Sequence, residues 1–351
     1  MRYMSDIHNK RFYLQNLKTF LMDTLSILRA LAEIESPSGK EEEIAGFLLE
    51  YLRDLGYDAF MEQSNVLIFP ERKFIVSTHM DTVKVLTPFS FDGEYAYGTE
   101  VCDAKASIVA ILLDLEMSDE LNFGVAFFHD EEGEGRGSKE FCMKHSPKMA
   151  VVMEPTCLTI ANIHYGGLEV RVRAKGLPVH GSIPERGENA VEKCIEKANR
   201  LMEIREAKVS VQYIGGGNME HYAIPDECEM RLEFIFKPNV KSSDILRRVS
   251  EICSDGLELT VKEIHDGFVS GSVVRLLEEA LRRTGLEIKF SEMPSLTDAI
   301  ELHHHVGCNA VVFGPSELNL CHTRNERVKP RDIELAAKVL AVLNDLLERQ
   351  S

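Results

Sequence analysis

The sequence predicts an α/β protein: a discontinuous α/β domain with helices on both faces of its sheet, interrupted by an inserted ferredoxin-like α+β domain. Three observations predict it. Short apolar strands alternate with helices toward both ends of the chain, a rhythm that builds a sheet flanked by helices. Between them runs the order β-α-β-β-α-β, the split motif of ferredoxin-like domains. The chain has 351 residues, more than one ordinary core supports, so two domains are the default. The expected division is 1–165 and 268–351 for the larger domain and 166–267 for the insertion.

The elements follow in order. Leu17, Leu21, Leu25, Leu28 and Leu31 recur at three- and four-residue steps, the spacing of an amphipathic helix. Ser38-Gly-Lys-Glu41 has the capping-box pattern and opens a second helix that closes at Gly56. Strands are expected at Asn65–Phe69 and Phe74–Ser77, a helix at Lys105–Met117, and buried strands at Val125–His129 and Ala150–Met153. The insertion reads as strand Glu169–Ala174, helix Asn189–Glu203, strands Val209–Ile214 and Glu227–Phe236, helix Ser242–Cys253 and strand Leu257–Ile264. The α/β rhythm then returns with a helix ending at Thr284, strands near Glu287–Phe290 and at Ala310–Phe313, and a last helix from Asp332.

Composition excludes several classes of function. A net charge of −17 argues against nucleic acid and anionic membranes as partners. The eight cysteines include no C-x-x-C pair, so reduced thiols and a cytoplasmic location are the expectation. The first residues contain no apolar segment before a small-residue cleavage site, and no apolar run approaches the roughly 20 residues of a membrane helix.

Chemistry concentrates where apolar strands end. In Thr78-His79-Met80-Asp81-Thr82, residues two apart face the same way. Asp81 can therefore orient His79 while the other ring nitrogen faces a metal. Asp103, in Cys102-Asp103-Ala-Lys105, stands at an N-cap position and also has two oxygens able to bridge metals. Glu131 and Glu132 follow a buried strand and point to opposite sides, so one can bind metal while the other handles protons; Gly133, Gly135 and Gly137 make that segment flexible. Glu154 ends a strand otherwise apolar, and His322 lies in a polar loop. Each residue alone fits a blander role as cap, turn or surface group. Together they place acids and histidines beyond strand ends, where ligands gather in α/β sheets. Two histidines and three carboxylates are donors that suit a dinuclear Zn²⁺ site. His303-His304-His305 follows Asp298 on an expected helix, where consecutive side chains diverge by about 100°, and is read as helix surface or end.

These motifs resemble the M20 metallopeptidases, a family that includes acetylornithine deacetylase, succinyl-diaminopimelate desuccinylase, glutamate carboxypeptidase and the carrier-protein-linked lysine hydrolases. The resemblance runs in order through HMDT at His79, CDAK at Asp103, DEEGEGRGS at Glu131 and Glu132, and MEPT at Glu154. It continues through KGLPVHGSIPERGENA around His180, TDA at Asp298 and FGPSELNLCHTRNE around His322. It implies a hydrolase that cleaves the amide of an N-acyl amino acid or short peptide, with two Zn²⁺ per subunit and Co²⁺ as a substitute. It implies that His79, Asp103 and Glu154 hold one metal and that Asp103, Glu132 and His322 hold the other. Asp81 would orient His79, and Glu131 would be the general base for attack by a bridging water. A cis peptide is expected at Asp103-Ala104. His180, in the inserted domain, would support the oxyanion across a homodimer, and the insertion would act as lid and dimerisation domain.

The chain departs from the family where Tyr222 stands for an asparagine and Ile235 for an arginine, two positions that contact a substrate carboxylate. Arg186 and Arg324 are candidates to replace that charge. Two other functions stay open at this point: an aminopeptidase on small peptides, and a non-catalytic metal- or peptide-binding relative. Retention of Glu131 argues against the latter.

Overall fold

The computed structural model describes residues 23–84 and 87–349. The chain divides into two compact units, Met1–Ile160 with Ser272–Lys289 and Glu301–Ser351, and Ala161–Gly271 with Phe290–Ile300. The sequence-derived limits 166 and 267 fall inside the second unit, which also takes in 290–300. In chain order the strands are β1 Phe60–Glu62, β2 Asn65–Ile68, β3 Phe74–His79, β4 Ser90–Phe91, β5 Ala96–Tyr97, β6 Gly124–Phe128, β7 Met149–Val152 and β8 Ile160–His164. They continue with β9 Gly166–Lys175, β10 Lys208–Gly216, β11 Glu227–Phe236, β12 Leu257–His265, β13 Phe268–Val269, β14 Phe290–Met293, β15 Asn309–Val312 and β16 Arg327–Val328. The helices are α1 Thr24–Ala32, α2 Glu42–Asp54, α3 Lys105–Met117, α4 Arg136–Lys144, α5 Ala190–Met202, α6 Ser242–Cys253, α7 Val273–Thr284, α8 Asp298–Val306 and α9 Pro330–Glu348.

In the first unit the strands lie in the order β1-β2-β6-β3-β7-β15. The β6-β3, β3-β7 and β7-β15 pairs are parallel, so the carboxyl ends of these four strands share one edge of the sheet. Every residue of β2, β3 and β6 is buried, as expected when both sheet faces are covered. Val66, Val76, Val125, Val151 and Val311 share a core with Leu28, Ile44, Leu112 and Leu340 of the helices. Phe128, whose neighbour Phe127 joins that core, meets Phe141 of α4 edge-on with ring centroids 5.3 Å apart. Alternation along β6 puts these two phenylalanines on opposite faces, so helices cover both. None of the described helices is long and apolar enough to cross a membrane.

The second unit contains an antiparallel sheet in the order β10-β11-β9-β12. Taken in sequence order its strands lie 2-3-1-4, the ferredoxin-like arrangement that the β-α-β-β-α-β order predicts. Leu168, Val170 and Val172 of β9 and Met230, Leu232 and Phe234 of β11 pack with Cys194, Leu201, Ile245 and Val249 of α5 and α6.

Several local expectations are corrected. Helix α1 begins at Thr24, where the Asp23 side chain accepts the Ser26 N–H at 2.9 Å; Leu17 and Leu21 lie outside the described residues. Ser38 and Glu41 form no capping box, because α2 starts after Glu41 without a side-chain cap. Both side chains are used in tertiary contacts instead. The strand expected at 287–290 lies at 290–293, and of the three glycines only Gly137 falls within helix α4. Gly135 takes a left-handed φ of 61° as the residue before α4, and a Cβ on Gly137 would stand 2.5 Å from the His129 carbonyl oxygen. These glycines permit a turn and a close approach.

Candidate metal centre

Strand β3 delivers His79, buried at 1% exposure, to the carboxyl edge of the first-unit sheet. Its Nε2 lies 3.1 Å from Asp103 Oδ1 and 3.9 Å from Glu154 Oε2. The other oxygen of Asp103, Oδ2, is 3.8 Å from His322 Nε2, which is 2.6 Å from Glu132 Oε1. The five side chains thus form one unbroken series, Glu154–His79–Asp103–His322–Glu132, with the two oxygens of Asp103 turned to different histidines.

Each residue is delivered by a different device. Asp103 precedes α3, but the helix is capped at Ala104 and no side chain caps it, so the N-cap role for Asp103 is not adopted. The Asp103-Ala104 peptide is cis. Glu131 and Glu132 follow β6, and both backbone N–H groups donate to Asp81, to Oδ1 and Oδ2 respectively, at 2.9 Å each. Ser38 Oγ donates to Asp81 Oδ2 at 2.6 Å. Glu41 Oε1 accepts the Asp130 N–H at 3.1 Å, and Arg136 holds Asp130 at 2.6 Å. Glu154 follows β7, where Gly314 packs so closely that a Cβ on it would stand 2.6 Å from the Glu154 carbonyl oxygen.

The Asp81–His79 contact takes a different form from the carboxylate–imidazole pair expected. His79 Nδ1 is 3.0 Å from the Asp81 backbone carbonyl and 3.4 Å from carboxylate Oδ1. The carbonyl receives the ring N–H, and the carboxylate chiefly holds the Glu131-Glu132 backbone. Both contacts leave Nε2 toward Asp103, the orientation a ligating imidazole needs.

Electrostatics explain what such a cluster can hold. Burial works against a charged His79, yet Glu154, Asp103, Asp81 and Glu131 raise its pKa well above the ordinary range. Burial and then the Asp103 charge push Glu154 well above the carboxylate range. The hydrogen bond that His322 donates to Glu132 raises the His322 pKa. Glu154 Oε1 is sealed from solvent and has no hydrogen-bond partner. Carboxylates this close repel, and protons retained on imidazole offset only part of that repulsion. Divalent cations would take the place of those protons. Nitrogen and oxygen atoms of His79, Asp103 and Glu132 lie within 4.8 Å of one another, as do those of Glu100, Glu132 and His322. The residues therefore fit divalent ions.

Sequence reasoning passed over two buried acids here. Glu326 Oε1 accepts the N–H groups of Cys102 at 2.9 Å and Asp103 at 3.3 Å, and so fixes the backbone of the central aspartate. Burial raises its pKa to about 7. Glu100 is also fully buried. The available signal was position: both acids stand within four residues of Asp103 or His322.

Of the remaining candidates, His180, Arg186, Tyr222 and Ile235 belong to the second unit and Arg324 to the first. His180, in the second unit, is exposed, and its Nδ1 lies 2.8 Å from Ser182 Oγ. Tyr222 is 89% exposed, whereas Ile235 is buried on β11. Arg186 and Arg324 are exposed. The three consecutive histidines close α8: His303 Nδ1 lies 3.2 Å from the Cys308 carbonyl and His305 pairs with Glu301 at 2.7 Å, as a helix end.

Comparison with known proteins adds independent information. The model of peptidase family M20/M25/M40 matches residues 75–345. A protein of Pyrococcus furiosus described as a candidate LysW-lysine/LysW-ornithine hydrolase is 27% identical over 334 residues, covering 94% of this chain and 98% of that one. The succinyl-diaminopimelate desuccinylase of Corynebacterium glutamicum is 26% identical, covering 91% and 95%. Among solved structures, an M20-family metallo-carboxypeptidase from Sulfolobus solfataricus superposes with a TM-score of 0.77 at 15% identity, covering 93% of this chain and 99% of that one; this likeness is one of fold.

Proposed function

This chain belongs to peptidase family M20/M25/M40, and we propose that it is a two-metal amidohydrolase that releases an amino acid from an N-acyl or short peptide-like substrate. As a member of the family it is a hydrolase of amide bonds in amino-acid derivatives or peptides. One observation carries the finer reading: the series Glu154–His79–Asp103–His322–Glu132, in which Asp103 turns one oxygen to each histidine. His79, Asp103 and Glu154 would hold one Zn²⁺, and Asp103, Glu132 and His322 the other, with Co²⁺ as a substitute. Bound there, the ions would supply Lewis acidity, which activates water near neutral pH and offsets charge developing on the substrate carbonyl.

The protein's own groups do the rest. Glu131 sits beside the site, and its charge bears on both His79 and Glu154. It takes the proton of the attacking water and returns it to the leaving amine. Asp81 holds the Glu131-Glu132 backbone, so base and ligand keep their spacing. His180 is assigned to oxyanion support, contributed by the partner in a homodimer. The relatives named for LysW-linked and succinylated amino acids favour an acylated amine as the group cleaved.

Glu131→Gln tests the reading. The variant should retain two metals per chain by elemental analysis and lose about 10²–10⁴-fold in kcat. Near-normal turnover would reject Glu131 as the base. The substrates should be N-acetyl-ornithine, N-acetyl-lysine, N-succinyl-diaminopimelate and unblocked dipeptides. Cleavage of the dipeptides alone would replace the deacylase reading with an aminopeptidase.

A further inference from the structure

Glu100 has an unusual combination of properties. It lies between β5 and α3 with φ at 64°, a left-handed conformation that is unfavourable for a residue with a side chain. Its carboxylate is 0% exposed. One oxygen, Oε1, accepts the Val83 N–H at 3.1 Å. The other, Oε2, is buried and has no hydrogen-bond partner. An oxygen of Glu100 lies within 4.8 Å of ligand atoms of both Glu132 and His322.

Its electrostatic surroundings are adverse. Asp103, Glu132 and Glu326 press on it with like charge. The nearby cation Lys105 donates its Nζ to the Ile34 carbonyl at 2.9 Å. Lys105 and His79 bear on it with opposite charge, yet burying a charged group is costly, and local strain persists where the surrounding structure imposes it and often marks a functional position. The Glu100 carbonyl accepts the Lys105 N–H at 3.0 Å where α3 begins, so its backbone has a local role; the buried oxygen Oε2 has none there.

We infer that Glu100 is a further ligand, beside Glu132 and His322, for the second cation of the proposed two-metal centre, and that it biases that position toward an oxygen-preferring divalent ion of the Mn²⁺ class. The inference rests on the two-metal reading. Donor chemistry gives the selectivity. With Glu100 included, the second ion faces one imidazole and three carboxylates, Asp103, Glu132 and Glu100. The first faces one imidazole and two, Asp103 and Glu154. Carboxylate oxygens suit Mn²⁺, whereas imidazole suits Zn²⁺. The added negative charge also favours retention of a divalent ion.

The experiment compares the full chain with its Glu100→Gln and Glu100→Gly variants, using chelator competition with Mn²⁺ and Zn²⁺ and metal content by elemental analysis. Glycine removes the carboxylate and relieves the left-handed strain, while glutamine keeps an acceptor for the Val83 N–H, so a loss of the second ion shared by both variants does not come from impaired folding. Both variants should keep the ion that His79→Ala loses. They should bind the second Mn²⁺ at least about tenfold more weakly, as expected when a metal site loses a supporting group, and their second Zn²⁺ should weaken less. Second-site Mn²⁺ affinity within about twofold of the unmodified chain in Glu100→Gly would overturn the assignment. An equal loss for Mn²⁺ and Zn²⁺ would overturn the selectivity. The two-metal reading fails separately, and takes this inference with it, if the unmodified chain binds fewer than two ions or if His322→Ala binds as many as the unmodified chain.

Discussion

The two sheets treat charge in opposite ways. In the first unit, strands buried on both faces lead to His79, Glu131, Glu132 and Glu154, and their acids crowd one another. In the second unit, the ferredoxin-like sheet buries one face, and several acids on its strands meet cations. Arg173 meets Glu227 at 2.7 Å, Lys175 meets Glu258 at 2.7 Å and Arg231 meets Glu169 at 2.9 Å. Exposed pairs of this kind contribute little to stability. Buried acids that repel one another oppose folding, and the two-metal proposal accounts for their accumulation at one sheet edge by the ions they would hold. On that proposal, charge at the strand ends of the first unit serves binding, whereas the exposed pairs of the second unit contribute little. This contrast can be tested residue by residue.

Asp81→Ala should have the largest effect. The Asp81 carboxylate is buried and accepts the N–H groups of Glu131 and Glu132 and the Ser38 hydroxyl. Its removal leaves buried donors unanswered beside His79 and frees the segment carrying the proposed base. Breaking a buried charged network costs about 3–5 kcal/mol, readable as a lower urea midpoint. Metal content should fall with it. A loss below about 1 kcal/mol, the range of surface pairs, would erase the contrast between the two sheets.

The same contrast explains what the sequence discloses. Strand-end residues were legible because a histidine or acid following an apolar strand is conspicuous, and the parallel order of β6, β3, β7 and β15 carries those ends to one edge. The split motif was legible because β9 and β11 alternate over 168–175 and 227–234. Local rules failed where tertiary structure claims the same side chain. Ser38 and Glu41 match a capping box, yet they bind Asp81 and hold the Gly39 and Asp130 N–H groups. Asp103 matches an N-cap, yet it turns its oxygens to two histidines. Glu100 and Glu326 carry no periodic signal: their burial depends on segments more than 200 residues apart in sequence meeting at Cys102 and Asp103.

Asp114 separates burial from function. It lies in α3, 0% exposed, with Oδ1 accepting the Ser118 hydroxyl at 3.3 Å and Oδ2 without a partner. Burial raises its pKa from 3.8 to about 7. The folded chain therefore keeps a proton that the unfolded chain releases, and this group makes stability fall as pH rises from about 4 through 7. Asp114→Asn should remove that slope. At pH 8 it should gain up to about 4 kcal/mol, since each pKa unit corresponds to about 1.36 kcal/mol. Metal content should be unchanged. Urea titrations at pH 4, 6 and 8 measure the effect, and parallel pH profiles for the two proteins would show that burial of Asp114 is not costly.

Arg231→Ala should have the smallest effect and completes the comparison from the other side. Arg231 places Nε and Nη2 each 2.9 Å from the Glu169 carboxylate, a two-point contact on the exposed face of the second-unit sheet. This geometry is among the best available to a surface pair, so it sets an upper limit for the others. The expected loss is about 0.5–1 kcal/mol at low salt, shrinking at high ionic strength as screening shortens the reach of the charges. Urea midpoints at low and high salt decide the matter. A salt-independent loss of several kcal/mol would mean that the second unit, like the first, depends on its charges.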